Sequence, residues 1–210
     1  PRILSSAASD VYKRQVSQSI FVDLFKRGDI VEDLRPNIYD PVEGTTIADA
    51  EVERLRRKSK LIDILWTTED GIDVVISTTR PELICACGVV VVHPDDDRYR
   101  NLVGKKIVIP VETNGRTKSV EIMTHPSVKS EFGSGVLMVC SFGDQNDVAV
   151  FRELGLTPFQ AIDLEGNMTD VSGPYAGLTV LEAREKVIED LTSAERIVNI
   201  CLLYTSDAAD

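Results

Sequence analysis

Six short segments rich in β-branched residues follow one another between residues 60 and 139, and this series restricts the fold more than any other feature. They span residues 61–66, 72–77, 89–92, 107–111, 120–123 and 136–139. Turn signals such as Asp70-Gly71 and Asn114-Gly115 separate them, and an Asn-Gly pair is a strong hairpin signal. About six strands in succession predict a compact barrel or a strongly curled sheet.

A short amphipathic helix is predicted before these strands. Ile20, Phe21, Leu24 and Phe25 have helical spacing, and Gly28 follows as a stop signal. The apolar stripe of such a helix must pack against another surface.

Two later helices have clear capping signals. Asp144 is the predicted N-cap of the first, which stops at Gly155. The second begins at Thr179, with Glu182 at capping-box spacing. The predicted class is therefore α+β, a compact β-barrel-like sheet of about six or more strands with flanking helices.

The formal net charge of −11 argues against a general nucleic-acid binder, because neutralising phosphates requires clustered Lys and Arg. Any contact with nucleic acid must then be local. One candidate, here called the basic stretch, contains Arg98, Arg100, Lys105, Lys106, Arg116 and Lys118. A second cluster contains Arg54, Arg56, Arg57, Lys58 and Lys60. A solvated charged face explains either cluster equally well.

Metal sites, disulfides and membrane spans are not predicted. The four cysteines form no C-x-x-C pair, and His93 and His125 lie far apart in the sequence. The longest apolar runs are about five residues, whereas a membrane helix needs roughly twenty. The start of the chain lacks the pattern of a secretory signal, so we expect a soluble, cytoplasmic protein.

The first polar motif is the run Ser-Thr-Thr-Arg-Pro-Glu at 77–82, at the end of a predicted strand. Pro81 breaks the strand there, so hydroxyls, a guanidinium and a carboxylate meet in one turn. A polar strand end of this kind is more often a solvated turn than a binding site.

The second motif follows the last predicted strand. Asp144 and Asp147 lie three residues apart where residues 136–140 give way to a helix. Asp144 can be a simple N-cap, and Asp147 a favourable first-turn charge. If Asp147 points outward, it can instead hold a substrate ammonium group.

These two motifs, with the run His-Pro-Asp-Asp-Asp-Arg-Tyr at 93–99 between them, resemble the editing insertion of the class I aminoacyl-tRNA synthetases for valine, isoleucine and leucine. The resemblance extends upstream to residues 45–53 and downstream to 163–168, 175–178 and 182–184. Glu82-Leu83 and the run Met-Val-Cys-Ser-Phe-Gly-Asp at 138–144 resemble archaeal-type valyl enzymes within that family.

The sequence departs from the family at several positions. Leu83 stands where many relatives have a threonine, which removes one hydroxyl from the implied pocket. Residues 37–41 stand where some relatives have a cysteine-bearing knuckle, and here they offer no metal ligands of that kind. HIGH-type and KMSKS-type signatures are missing, so the resemblance assigns the synthetic site, with its ATP and Mg, to the parent enzyme and no cofactor to this fragment.

The resemblance implies an editing hydrolase that removes threonine from mischarged tRNA for valine. Asp147 is expected to hold the α-ammonium group, and Asp144 the threonine hydroxyl. Substrate contacts are expected from Thr78, Thr79, Arg80, Glu82, Met138 and Cys140. A bound water is expected to attack the ester, and the basic stretch to guide the tRNA acceptor end.

The resemblance also divides the chain. Residues 1–15 and 201–210 resemble translated sequencing-adapter sequence, and we expect them to be non-native. Residues 16–59 form the lead-in from the synthetase body, 60–192 the editing domain and 193–200 a linker. Two alternatives stay open: an isoleucyl or leucyl editing domain, and a non-catalytic fragment that only binds the acceptor end.

Overall fold

The computed structural model describes residues 2–32, 36–52, 57–112 and 118–205, and it divides the chain into two compact units, Pro1–Pro36 and Asn37–Asp210. The first unit contains helix α1, Arg2–Arg27. This helix is much longer than predicted, but it ends as predicted before Gly28, whose φ is +78°. Its side chains Ile20, Phe21 and Phe25 are exposed. No helix among the described residues is long and apolar enough to cross a membrane.

The second unit contains nine strands and two α-helices among its described residues. The strands are β1 Ile38–Asp40, β2 Thr45–Ile47, β3 Arg57–Thr68, β4 Asp73–Thr78, β5 Cys87–Val92, β6 Lys106–Val108, β7 Ser119–Thr124, β8 Val136–Cys140 and β9 Ile197–Thr205. The helices are α2 Gln145–Glu153 and α3 Val180–Ser193, and a 3₁₀ helix, Pro81–Ala86, follows β4. Each of the six predicted strands corresponds to one of β3 to β8.

Seven of these strands form a nearly closed barrel-like sheet, in the order β4-β3-β6-β7-β5-β8, with β9 also paired to β3. Strands β5 and β7 run parallel, whereas the other pairs are antiparallel. The backbone amide of Ser134 donates to Ser77 Oγ at 2.9 Å, which brings the start of β8 to the end of β4. The predicted α+β barrel is therefore confirmed.

Apolar side chains at alternate positions of the strands form the core. Ile62, Ile64 and Trp66 on β3 are at most 1% exposed, and they point into the barrel. Strand β5 is buried on both faces, since its opposite face packs with α2 in a smaller cluster. This explains why its sequence is a continuous apolar run rather than an alternating one.

Gly88 on β5 allows helix α2 to lie close to the sheet. A Cβ at Gly88 would meet the ring of Phe151 at 2.5 Å, so only glycine fits under this helix. The position of α2 matters because the second polar motif forms its first turn.

The structure differs from the predicted elements in three places. Strand β6 is shorter than the predicted 107–111, since Pro110 has no amide hydrogen to continue the ladder. The Asn114-Gly115 turn lies outside the described residues, although β6 and β7 do pair antiparallel. Strand β9 occupies part of the predicted linker and continues past residue 200, because it pairs with β3 from Arg57 to Ile64. The division into native chain and adapter-derived tails stays a prediction.

Candidate functional site

The first polar motif forms a tight turn at the end of β4. Thr78 Oγ1 accepts a hydrogen bond from the backbone amide of Arg80 at 3.0 Å. Pro81 then starts the 3₁₀ helix, so the chain turns away from the sheet. The Arg80 side chain crosses to the other motif, where its Nη1 donates to the carbonyl of Gly143 at 2.7 Å. The two motifs therefore lie in contact with each other.

Thr79 is half-buried in the same turn. Its hydroxyl makes no hydrogen bond with the part of the chain that the structure describes, so it is available to a ligand. Thr78, in contrast, already holds the Arg80 amide and is 8% exposed.

Glu82 lies in a different place from the one we expected. Its side chain is fully buried, with 0% exposure, between two guanidinium groups. Oε1 accepts from Arg80 Nε at 3.1 Å and from Arg184 Nη2 at 3.0 Å, and Oε2 accepts from Arg184 Nε at 2.9 Å. The expected direct contact with substrate is not supported by this placement, because a carboxylate buried in ion pairs has no surface to offer.

The second motif caps helix α2, as the sequence predicted. Asp144 Oδ1 accepts a hydrogen bond from the backbone amide of Asp147 at 2.8 Å. Asp147 does not point outward as expected but turns back toward the end of β8, where its Oδ2 accepts from the Cys140 amide at 3.1 Å. Its side chain is nevertheless only half-buried. A Cβ at Gly143 would lie 2.5 Å from Asp147 Oδ2, so glycine is required for this approach.

The ionisation of Asp147 is strongly perturbed. Burial raises the pKa of its carboxyl from 3.8 to about 7, and the nearby charge of Asp144 adds to this effect. The Cys140 amide and the charge of Arg80 oppose it. A carboxylate in this state gains from a cationic partner, since an adjacent positive charge favours ionisation. Perturbed groups of this kind are enriched at functional sites.

Met138 and Cys140 were expected to contact substrate, but both side chains belong to the main core. They are 9% and 3% exposed, because alternate residues of β8 point into the barrel. The Cys140 thiol donates to the Leu83 carbonyl at 3.3 Å, and burial raises its pKa well above the usual value. Cys140 is thus an inert core thiol in this structure.

Three of the six members of the basic stretch form ion pairs with acids. Arg98 forms an ion pair with Asp96, Arg100 with Asp97, and Lys105 with Asp70.

The other three members of the basic stretch differ from one another in their surroundings. Lys118 is half-buried, donates to the Cys87 carbonyl at 2.9 Å and lies 4.3 Å from the centre of the Phe159 ring. Lys106 is exposed, and Arg116 lies outside the described residues. The basic stretch is therefore not a continuous free cationic surface.

The sequence analysis did not single out Arg184, which reaches Glu82 from helix α3. The only signal was that residues 182–184 lay within the family resemblance, since helical periodicity does not reveal a partner 102 residues away. The described residues contain no group of three or more His, Cys, Asp or Glu side chains that could hold a metal ion.

No protein-family profile matches the chain. Several known proteins are nevertheless similar to it in sequence. The chain is 41% identical over 193 residues to the valine–tRNA ligase of Aeropyrum pernix, covering 89% of this chain and 23% of that protein. It is 43% identical over 176 residues to the valine–tRNA ligase of Methanocaldococcus jannaschii, covering 83% of this chain and 20% of that protein. The chain therefore spans less than a quarter of the length of these relatives.

Two solved structures share the fold. The GlLeuRS-CP1 crystal structure aligns with a TM-score of 0.51 at 11% identity, covering 70% of this chain and 99% of that one. The Agrobacterium radiobacter K84 LeuRS-tRNA-LeuAMS ternary complex aligns with a TM-score of 0.50 at 17% identity, covering 89% of this chain and 32% of that one. At these identities the likeness shows the fold alone.

Proposed function

We propose that this chain, a homologue of one segment of the valine–tRNA ligases, is the editing hydrolase of such an enzyme and removes a wrongly attached amino acid from tRNA. The observation that carries the proposal is the meeting of Arg80 with the Asp144–Asp147 turn. One cation and two carboxylates lie together there, between the end of β4 and the start of α2, and neither motif alone supplies all three.

The proposed substrate is threonine esterified to the tRNA for valine. Valine and threonine are nearly isosteric, and valyl enzymes are the standard example of an apolar pocket that cannot strongly exclude an added hydroxyl. A second pocket can require that hydroxyl with polar partners, because valine would leave those partners unpaired. Editing then removes the product that the first pocket accepts in error.

Asp147 is proposed to hold the α-ammonium group of the threonyl ester. The carboxylate is half-buried, and the Cys140 amide occupies Oδ2. Among the described residues, its charged neighbours are Asp144 and Arg80, so the two carboxylates leave room for one more positive charge. A substrate ammonium group supplies that charge and favours ionisation of Asp147.

Asp144 is proposed to accept the threonine hydroxyl. Its Oδ1 caps helix α2, while the side chain stays exposed to a ligand. Arg80 and Thr79 lie in the turn that follows β4 and are proposed to position the ester and the terminal adenosine. Leu83, Met138 and Cys140 are buried members of the main core.

Attack by water, rather than by a protein nucleophile, fits the chemistry of the nearby thiols. Burial raises the pKa of Cys87 to about 12 and that of Cys140 well above its usual value, so neither thiol ionises near neutral pH. Water attacks the ester carbonyl, the ribose oxygen leaves, and the proton lost by the water passes to that oxygen. The terminal ribose hydroxyl of the tRNA can assist in orienting the water.

The partners follow from the same proposal. The acceptor end of a tRNA carries the substrate, and the rest of the synthetase supplies valine activation with ATP and Mg. Because the substrate is a tRNA used in protein synthesis, we place the protein in the cytoplasm.

The test measures release of threonine from threonyl-tRNA for valine by the full chain, with valyl-tRNA as the control substrate. Asp147→Asn keeps an oxygen for the Cys140 amide but removes the charge, and it should lower threonine release at least about 100-fold, which corresponds to about 2.7 kcal/mol. Glu69→Gln, an exposed change in the β3–β4 turn, should leave the rate unchanged.

Equal hydrolysis by wild type and Asp147→Asn would refute the assigned role. Selective release of another amino acid from tRNA for isoleucine or leucine would instead move the specificity to a sister enzyme. A non-catalytic acceptor-end fragment predicts binding without release, but the ion pairs within the basic stretch count against that reading.

A further inference from the structure

Helix α3 contributes one side chain to the network behind the site. Arg184 makes a two-point contact with Glu82, from Nε to Oε2 at 2.9 Å and from Nη2 to Oε1 at 3.0 Å. The same Oε1 accepts from Arg80 Nε at 3.1 Å. Arg184 and Arg80 are 20% and 22% exposed, whereas the Glu82 side chain is not exposed at all.

The geometry of Arg80 depends on this network. Its Nε faces Glu82, and its Nη1 faces the Gly143 carbonyl at 2.7 Å. Gly143 immediately precedes Asp144 and lies against Asp147. A continuous series of contacts therefore joins helix α3 to the two carboxylates of the site.

The charges of the network give Arg184 a second effect. Two guanidinium groups share one carboxylate, so the three side chains carry a net charge of one positive unit. If Arg184 were neutral, the buried carboxylate would cancel the charge of Arg80. The charges of these three side chains interact strongly, because the side chains are largely buried and little water screens them.

We propose that Arg184 is a positioning residue of the site: by engaging Glu82, it keeps Arg80 turned toward Gly143 and leaves the Arg80–Glu82–Arg184 group a net positive charge beside the ester and the terminal adenosine of the substrate. This inference rests on the proposed editing function for its activity readout. It does not rest on that function for its electrostatic readout.

A simpler role for Arg184 is to anchor α3 to the 3₁₀ helix Pro81–Ala86. The two roles differ in what happens when Glu82 is neutralised as well. The ion pair that would anchor α3 is lost in both the single and the double variant. A net charge on Arg80 is lost in Arg184→Gln but is restored in the Glu82→Gln/Arg184→Gln double variant, where two amides can still hydrogen bond.

The first measurement is kcat/KM for threonine release by the full chain, with thermal melting to confirm that each variant is folded. Arg184→Gln should lower kcat/KM about 10- to 100-fold, and the double variant should recover to within about threefold of wild type. Arg184→Lys, which keeps the charge, should also stay within about threefold. A double variant as impaired as Arg184→Gln, while folded, would overturn the proposal.

The second measurement needs no substrate. The Asp147 carboxyl can be titrated by NMR, and the charged or titratable groups around it are Asp144, Arg80 and the buried thiols of Cys87 and Cys140. Losing the net charge of Arg80 should raise the pKa of Asp147 above about 7 in Arg184→Gln and return it in the double variant. An unchanged titration in Arg184→Gln would contradict the proposal.

The two measurements distinguish a failure of the proposed editing function from a failure of the positioning role of Arg184. If the titration shifts as expected but wild type releases no threonine, the proposed editing function is wrong and the positioning role stands. If wild type releases threonine and Arg184→Gln matches it in rate and titration, the positioning role is wrong and the editing function stands.

Discussion

The Asp147 carboxylate accepts a hydrogen bond from the Cys140 amide at 3.1 Å, so the first turn of α2 is tied back to the strand that precedes it. This is the only hydrogen bond to that carboxylate from a backbone amide within the described residues. One such bond does not offset burial, which is the main reason that the Asp147 pKa is raised. The site therefore holds an acid whose ionisation is unfavourable until a cation arrives.

Asp147 should make the folded protein less stable as the pH rises. Its pKa is raised from 3.8 to about 7, so the folded state binds this proton more tightly than the unfolded state does. The stabilisation of the folded state by this protonated carboxyl is fully present below about pH 4. It is lost as the pH rises past about 7. Asp147→Asn should match wild type near pH 4 and be more stable at pH 8 by about 2 kcal/mol, discounted for partial exposure.

Urea unfolding of both proteins across this pH range measures the difference. The comparison isolates Asp147, because every other titrating group is shared. A stability difference that does not change between pH 4 and 8 would show that Asp147 ionises normally.

Gly143→Ala should impair the site without removing any of its functional groups. The new Cβ would lie 2.5 Å from Asp147 Oδ2 and 3.3 Å from Leu83 Cδ1, so the carboxylate must shift. We expect a loss of at least about tenfold in kcat/KM for threonine release, which corresponds to about 1.4 kcal/mol.

The matched control is Gly155→Ala at the other end of α2. Gly155 has φ +62° and no neighbour within 4 Å of the added Cβ, so the change strains only the backbone. It should cost about 1 kcal/mol of stability and leave the rate unaltered. Similar rate losses in both variants would mean that helix stability, not the approach to Asp147, explains the effect.

Thr179→Ala should weaken helix α3 at its start. Thr179 and Glu182 form a complete capping box, in which each side chain serves the backbone of the other residue. Removing the Thr179 hydroxyl should cost about 1 kcal/mol in the free energy of unfolding, measured in urea. Thr179→Ser keeps the hydroxyl and should be nearly neutral; equal losses would point to the lost methyl group instead.

Lys106 and Arg98 should respond differently when neutralised, although both belong to the basic stretch. Lys106 is exposed, so Lys106→Gln should weaken tRNA binding. It should also reduce the slope of the logarithm of the binding constant against the logarithm of the salt concentration by about one. Arg98 donates to the Ser130 carbonyl at 2.9 Å and pairs with Asp96, so Arg98→Gln should lower the melting temperature instead.

Binding measured by titration at several salt concentrations, together with thermal melting, distinguishes the two effects. A salt slope that falls equally in both variants would show that Arg98 leaves its protein partners to contact phosphate.

Local patterns predicted the fold well. Alternation in β3 and the apolar run of β5 located their strands, and the helix caps at Asp144 and Thr179 were found from neighbours three residues away. These signals lie within a few residues of the structure that they specify. The order of the strands was not predictable in this way, since the parallel pairing of β5 with β7 requires a crossover.

The candidate site was only partly predictable for the same reason. Arg80, Asp144 and Asp147 are brought together as expected, but Glu82 turned inward because its partner Arg184 lies on α3. Lys105 is likewise paired with Asp70, on a turn that is distant in sequence. Whether a polar side chain is free or paired depends on such remote contacts, and no local pattern records them.

The contact between Glu82 and Arg184 also has a consequence for the timing of folding. It closes a loop of 102 residues, and the contact of Arg80 with Gly143 closes one of 63. Contacts between residues so distant in sequence form slowly, because the entropy of closing the loop is lost before the contact is gained. A chain growing on the ribosome can complete this network only after helix α3 has emerged, so the site matures at the end of the domain's synthesis.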